Sequence, residues 1–231
     1  MRPKIFERAT KRLLQPSRDA SALQKLAGFG LGYVPWSAAA MRPESVVMLA
    51  NEILINRRCS VLELGSGVST LFGAAAIAQL GDGHIDSVDQ DEDWIKIVRQ
   101  MLCDRNLESF VTFHHAPLVN RQDIRWPSGM TAVGDYFDTS KIEQAIQEGS
   151  KSLIIVDAPT AYQVGREYAR FPAFQVFRKY FADEFTIILD DILRHGERRA
   201  VEHWGKELQQ RPTIDLIREM GILTTGHRWV V

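Results

Sequence analysis

Cysteine is scarce in this chain: Cys59 and Cys103 are the only two in 231 residues. They stand far apart and form no C-x-x-C pair, which excludes a disulfide framework, argues against structural zinc and points to a reducing compartment. Both read as small packing residues. Long apolar runs are lacking as well. None approaches the roughly 20 residues that span a bilayer, and the start of the chain has no apolar signal-peptide region, so the expected location is cytoplasmic. Charge of one sign is also missing. With 28 basic against 29 acidic side chains the net charge is −1, and no global field draws the protein to nucleic acid. What is present is 45% hydrophobic residues, enough for one substantial core, and a single α/β domain with trimmings is the simplest count.

Residues 1–42 read as an N-terminal extension and strap, and residues 43–231 as the main domain. In the first 27 residues Ile5, Phe6, Ala9, Leu13 and Leu14 fall near helical spacing with Arg and Lys between them. This is either a peripheral membrane or partner helix, or an extension packed on the domain or on a homodimer mate; Glu7 and the brevity of the stripe favour packing. Residues 28–45 are loop-like, with Pro35 and Pro43 as breakers, and lie either over a ligand site or against the body as a strap. A helix is expected from about 43 to 56.

The chain then alternates. Strand-like runs at 60–64, 84–89, 110–114, 152–157 and 185–190 are separated by helical patterns at about 70–80, 92–105, 139–149 and 166–182. This rhythm predicts a Rossmann-like doubly wound α/β fold, a mostly parallel seven-stranded sheet with helices on both faces. A helix over about 196–210 and two short strands around Met220 and Gly221 would close it with an antiparallel C-terminal edge, a helix over 215–220 being the competing reading of that tail.

"VLELGSGVST" (61–70) is a strand, a glycine turn and a helix start. Gly65 and Gly67 permit a tight turn and close approach of backbone N–H groups to a ligand. A dinucleotide fingerprint would need glycine where Thr70 stands, and the Gly-Lys-Ser/Thr ending of a phosphate loop is absent. Glu63, two residues before the turn, would repel a pyrophosphate and welcome a cation. Asp89 ends the next strand 24 residues after Gly65, the distance at which an acid reaches ribose hydroxyls. S-adenosylmethionine, cationic and without phosphate, suits such a site.

"VLELGSGVSTL" with "IDSVDQDEDW" resembles motifs I and II of class I S-adenosylmethionine-dependent methyltransferases, in a variant with Ser-Thr for the last glycine; "HHAPL", "LIIVDAP", "ARFPAF" and "IILDDILRHGE" extend the likeness over roughly residues 35–204. The resemblance implies that Gly65, Ser66 and Gly67 meet the methionine part of the cofactor, with Ser69 and Thr70 supporting the loop. It places Asp89 on the ribose, Gln90 and Trp94 near the nucleoside, and His115 and Ala116 beside the adenine. Trp94 reads equally well as helix-to-sheet packing.

Asp157, Asp190 and Asp191 end strands, on the side where open α/β sheets bind ligands. Three converging carboxylates raise one another's pKa unless a cation joins them, and oxygen donors suit Mg²⁺ or Mn²⁺. The pattern is similar to cation-dependent O-methyltransferases, which implies that a metal on these three aspartates would lower the pKa of the acceptor hydroxyl. The alternative is that the aspartates cap helices and loops. Those enzymes usually carry a lysine three residues after the first aspartate; here Thr160 stands there. His195 is the candidate base on its unperturbed pKa, beside the plainer reading of an exposed helix-start histidine. Arg194 and Glu197 are spaced to pair, and Tyr162, Arg166 and Arg170 lie where a substrate lid would be, the arginines read by default as a solvated helix face. His114 and His115 point to opposite faces of a strand and hold no common metal. The expected activity is methyl transfer to an oxygen of a small molecule or glycan. A nucleoside-binding scaffold and a nicotinamide oxidoreductase are the rivals.

Overall fold

The computed structural model describes residues 3–231, with side chains from residue 15 onward. The apolar stripe expected at Ile5 to Leu14 therefore lies outside the described side chains. Helix α1 (Pro3–Ala27) leads through a strap to α2 (Pro43–Leu54). The core follows as β1 (Ser60–Leu64), α3 (Val68–Leu80), β2 (His84–Asp89), α4 (Glu92–Cys103) and β3 (Val111–His115). A small hairpin, β4 (Leu118–Asn120) with β5 (Asp135–Phe137), precedes β6 (Lys151–Val156), α5 (Pro172–Phe177), β7 (Phe181–Leu189) and α6 (His195–Glu207). The chain closes with β8 (Thr213–Asp215) and β9 (Met220–Thr224).

Seven strands form one sheet in the order β3-β2-β1-β6-β7-β9-β8. The first five are parallel; β9 runs antiparallel to β7, and β8 antiparallel to β9. This is the expected Rossmann-like doubly wound α/β sheet. The order reverses between β1 and β6, so the crevice at the carboxyl ends of those strands is where a ligand fits. "SVLEL", "KSLIIV" and the end of "FADEFTIIL" are buried almost throughout, as central strands covered on both faces must be. Two apolar cores result, one holding Leu62, Ile154, Phe177 and Trp204 and the other Leu49, Val61, Ile77 and Ile155. Among the described residues, no helix is long and apolar enough to cross a membrane.

Two expected helices are corrected. Residues 139–149 form only turns, in which Ile142 and Ile146 are buried and the chain leaves through Gly149 with φ 69°. Two apolar anchors four apart secure one turn, short of the length that propagates a helix. Over 166–182 only Pro172–Phe177 is α-helical. Pro172 has no N–H to carry a helix ladder back over 166–171, and it starts the helix instead, with Phe171 before it still at φ −53° and ψ −41°. The hairpin β4–β5 has three-residue strands, too short for a period-2 signal.

Candidate active site

Gly65 lies where β1 leaves the sheet. Its φ of 104° is unfavourable for any side chain, and a Cβ there would sit 2.9 Å from that of Ala158. Glycine thus lets the turn after β1 lie against the end of β6, whose Asp157 and Ala158 N–H groups both donate to the Leu64 carbonyl at 2.9 Å. The turn is held by side chains from below and from the flank. The Gly67 N–H donates to Thr70 Oγ1 at 2.8 Å, and that hydroxyl donates to Glu63 Oε2 at 2.6 Å. Ser87 Oγ donates to the same carboxylate oxygen at 2.7 Å and lies 2.9 Å from Ser66 Oγ. Asp89 accepts from the Ser66 N–H at 2.8 Å and from the Asp91 N–H at 3.0 Å. Trp94 Nε1 donates to the Ser66 carbonyl at 2.8 Å.

Above the turn is a cavity of about 340 Å³ lined by Gly65, Ser66, Gly67, Ser69, Asp89, Gln90, Trp94, Asp157 and Thr160, with Pro35, Ser37 and Met41 of the strap as the opposite wall. A larger, more open groove of about 620 Å³ runs behind the strap beside Ala75 and Ala78, but its Arg105 is committed to the Leu31 and Tyr33 carbonyls. The strap is thus both wall and latch. Arg42 pairs with Asp19 of α1 at 2.5 Å and with Glu219 at 3.6 Å.

Not every expected residue reaches the cavity. Glu63 is 0% exposed and lies beneath the turn. Burial pushes its carboxyl up to about 7 despite the bonds from Ser69, Thr70 and Ser87. It braces the loop from below, with Thr70 as the link. The Ala116 N–H donates to the Asp89 carbonyl at 2.8 Å, while His115 is exposed with Nε2 at 3.2 Å from the Gln90 carbonyl; neither lines the cavity. His195 is exposed, its Nδ1 3.4 Å from the Tyr168 hydroxyl, and it too stands outside the cavity wall.

Carboxylate oxygens of Asp157, Asp190 and Asp191 come within 4.8 Å of one another. Asp191 has φ 62°, a left-handed turn that aspartate tolerates, and it brings the Ile192 N–H to the Glu219 carbonyl. Burial, more than the neighbouring charges, lifts Asp157 to about 6 and Asp190 well above the usual carboxylate range. The residue that sequence reading misplaced is Arg170. It is 5% exposed and lies inside this cluster, with Nη2 3.0 Å from Asp157 Oδ1 and Nη1 2.9 Å from Asp191 Oδ2. Nε donates to the Pro159 carbonyl at 3.2 Å and Nη1 to the Asp190 carbonyl at 3.4 Å. Arg194 adds a second cation on Asp191 at 2.7 Å and lies 3.6 Å from Glu197. The expected Arg194 and Glu197 pairing is there, but it is part of this network.

Three carboxylates at this spacing offer the hard oxygen donors that Mg²⁺ or Mn²⁺ prefers. Asp157 and Asp191 already pair with a fixed guanidinium at 3.0 and 2.9 Å, and the Asp190 carbonyl accepts from the same head group. The set therefore fits a divalent ion poorly.

The fold agrees with that of solved methyltransferases. The chain is similar to an O-methyltransferase from Bacillus cereus in complex with S-adenosylhomocysteine (SAH), with TM-score 0.56 and 16% identity over 94% of this chain and 96% of that one. It is similar to the O-methyltransferase TomG from Streptomyces achromogenes in complex with S-adenosylmethionine, with TM-score 0.52 and 16% identity over 89% and 90%. A methyltransferase from Geobacter sulfurreducens gives TM-score 0.51 and 14% identity over 90% and 88%. Comparison with family models and with curated protein sequences finds no match. The chain has the fold of the class I S-adenosylmethionine-dependent methyltransferases.

Proposed function

We propose that the protein is an S-adenosylmethionine-dependent methyltransferase that methylates an oxygen of a small molecule or glycan, with residues 43–231 as the methyltransferase domain and the strap before it closing the cavity. The observation that carries this reading is the cavity above the Gly65 turn. Its lining brings Gly65, Ser66, Gly67 and Ser69 together with Asp89, and it holds no lysine that would bind a phosphate. Asp89 has two bonds from backbone N–H groups and, with about four acceptor positions on a carboxylate, retains capacity for ribose hydroxyls. Trp94 and Gln90 would flank the nucleoside, and Ser66, Gly67 and Ser69 the methionine end.

Methyl transfer needs the acceptor oxygen, the methyl carbon and the sulfur in line, and a cavity walled by a strap and a rigid turn supplies most of that alignment. Of the two catalytic candidates, Asp157 faces the cavity and His195 does not. Asp157, with its carboxyl near 6, is thus the group placed to receive the acceptor proton. Calorimetric titration with SAH tests the reading. The parent protein should bind it in the micromolar range, and Asp89→Ala should weaken binding by about 10- to 100-fold, the worth of hydrogen bonds to a charged group. Absence of SAH binding in the folded parent protein would sink it.

A further inference from the structure

We propose that Arg170 occupies the place of a divalent cation among the strand-end carboxylates, so that the site works without a metal. Three of the five Arg170 N–H groups donate hydrogen bonds, Nε to the Pro159 carbonyl and Nη1 to the Asp190 carbonyl and the Asp191 carboxylate, while Nη2 forms an ion pair with Asp157 at 3.0 Å. The carbonyl bonds fix the head group by backbone, and almost nothing of it is open to an incoming substrate. It is a built-in counter-ion, not an acceptor clamp.

Its placement depends on a second feature of the sequence. The segment carrying Arg170 lies directly on the start of α6, where a Cβ on Gly196 would collide with the Glu167 carbonyl. The turns at 166–171, closed by Ala169 N–H to Arg166 and Phe171 N–H to Tyr168, then hand the chain to Pro172 and α5. Glycine at 196 and proline at 172 deliver one long cation into a pocket of carboxylates, with the carboxylate of Glu197 4.0 Å behind it. A divalent ion drawn to Asp157 and Asp191 would meet a positive charge already paired with both, about 3 Å from each carboxylate, and like charges at that range repel.

The consequence for the reaction rests on the methyl-transfer reading above. Without a metal to grip two oxygens at once, the acceptor need not carry vicinal hydroxyls; one hydroxyl beside Asp157 suffices. The cation measurement itself is independent of that reading.

The test is titration of Mn²⁺, followed by the loss of its free electron paramagnetic resonance signal, into the full chain and into Arg170→Gln, Arg170→Lys and Arg194→Gln. SAH binding is measured on the same samples, so failure of the methyltransferase reading shows separately. The parent protein, Arg170→Lys and Arg194→Gln should show no saturable binding up to about 1 mM, whereas Arg170→Gln should bind at least about tenfold more tightly than that limit. Saturable binding by the parent protein that Asp190→Asn abolishes would overturn the proposal, as would a folded Arg170→Gln that binds no Mn²⁺. If Arg170→Gln is recovered only unfolded, refolding with Mn²⁺ decides: recovery of folded protein supports the exchange of one cation for another, and continued failure counts against it.

Discussion

The turn after β1 and the carboxylates after β6 and β7 open on the same end of one sheet, but they are neutralised in opposite ways. The turn is built from residues 63–94, close in sequence, and its side-chain acceptors are met mostly by hydroxyls and backbone N–H groups: Glu63 by Thr70 and Ser87, Asp89 by Ser66 and Asp91. The carboxylate end draws Asp157, Arg170, Asp191 and Glu197 from three separate stretches and is held by two guanidiniums. Dipoles can leave a pocket open to a ligand, because they satisfy a carboxylate without occupying the space in front of it. A guanidinium fills the space it neutralises.

The comparison breaks most readily at Arg170. Removing one partner of a buried ionic network leaves the others uncompensated and typically costs about 3–5 kcal/mol. Arg170→Met should lose stability on that scale in urea denaturation at pH 7, and the loss should shrink as pH falls and the carboxylates take up protons. A cost below about 1 kcal/mol, the range of surface pairs, would mean that the cluster carries little charge in the folded protein.

How far each half was legible follows from the same difference. Motif spacing finds the turn because strand, glycine and helix are contiguous, and β1 and β2 fall at the expected residues, 60–64 and 84–89. It finds the three aspartates because each ends a buried apolar run. It does not find Arg170, because nothing local distinguishes an arginine in "REYARFP" that enters the core from one on a solvated helix face; only the sheet order and the close approach at Gly196 decide. The same holds for Glu63, whose position was legible while its direction was not. A strand residue two before a turn faces the crevice or the space beneath it according to pleat and twist, and here Thr70 and Ser87 draw it beneath. His195 was chosen on its pKa, a property of the residue type that says nothing of placement.

Glu63 offers the next largest effect and sharpens the contrast from the other side. Its carboxyl titrates near 4.5 when unfolded and at about 7 when folded. The folded state thus holds the proton more tightly, and the associated stability, present in full below pH 4.5, is lost as pH rises through 7. The loss amounts to about 3 kcal/mol by linkage. Glu63→Gln resembles the protonated form at every pH. Relative to the parent protein it should gain about 3 kcal/mol between pH 4.5 and pH 8 in denaturation experiments. Parallel pH profiles for the two proteins would show that hydroxyl donors alone stabilise the buried charge.

Trp94 is the smallest test and the one that separates architecture from recognition. Its indole N–H donates to the Ser66 carbonyl, while the residue lines the cavity and is 36% exposed. Trp94→Phe keeps an aromatic face for a base but removes one neutral hydrogen bond, worth about 0.5–1.5 kcal/mol. If the bond merely holds the turn, thermal stability falls by that amount and SAH affinity falls no more than a few-fold, because Asp89 and Thr70 still fix Ser66 and Gly67. If SAH affinity falls by more than about tenfold, 1.4 kcal/mol, with stability unchanged, the indole acts on the ligand and not on the turn. The nucleoside end would then be read by an aromatic face as well as by the Asp89 carboxylate.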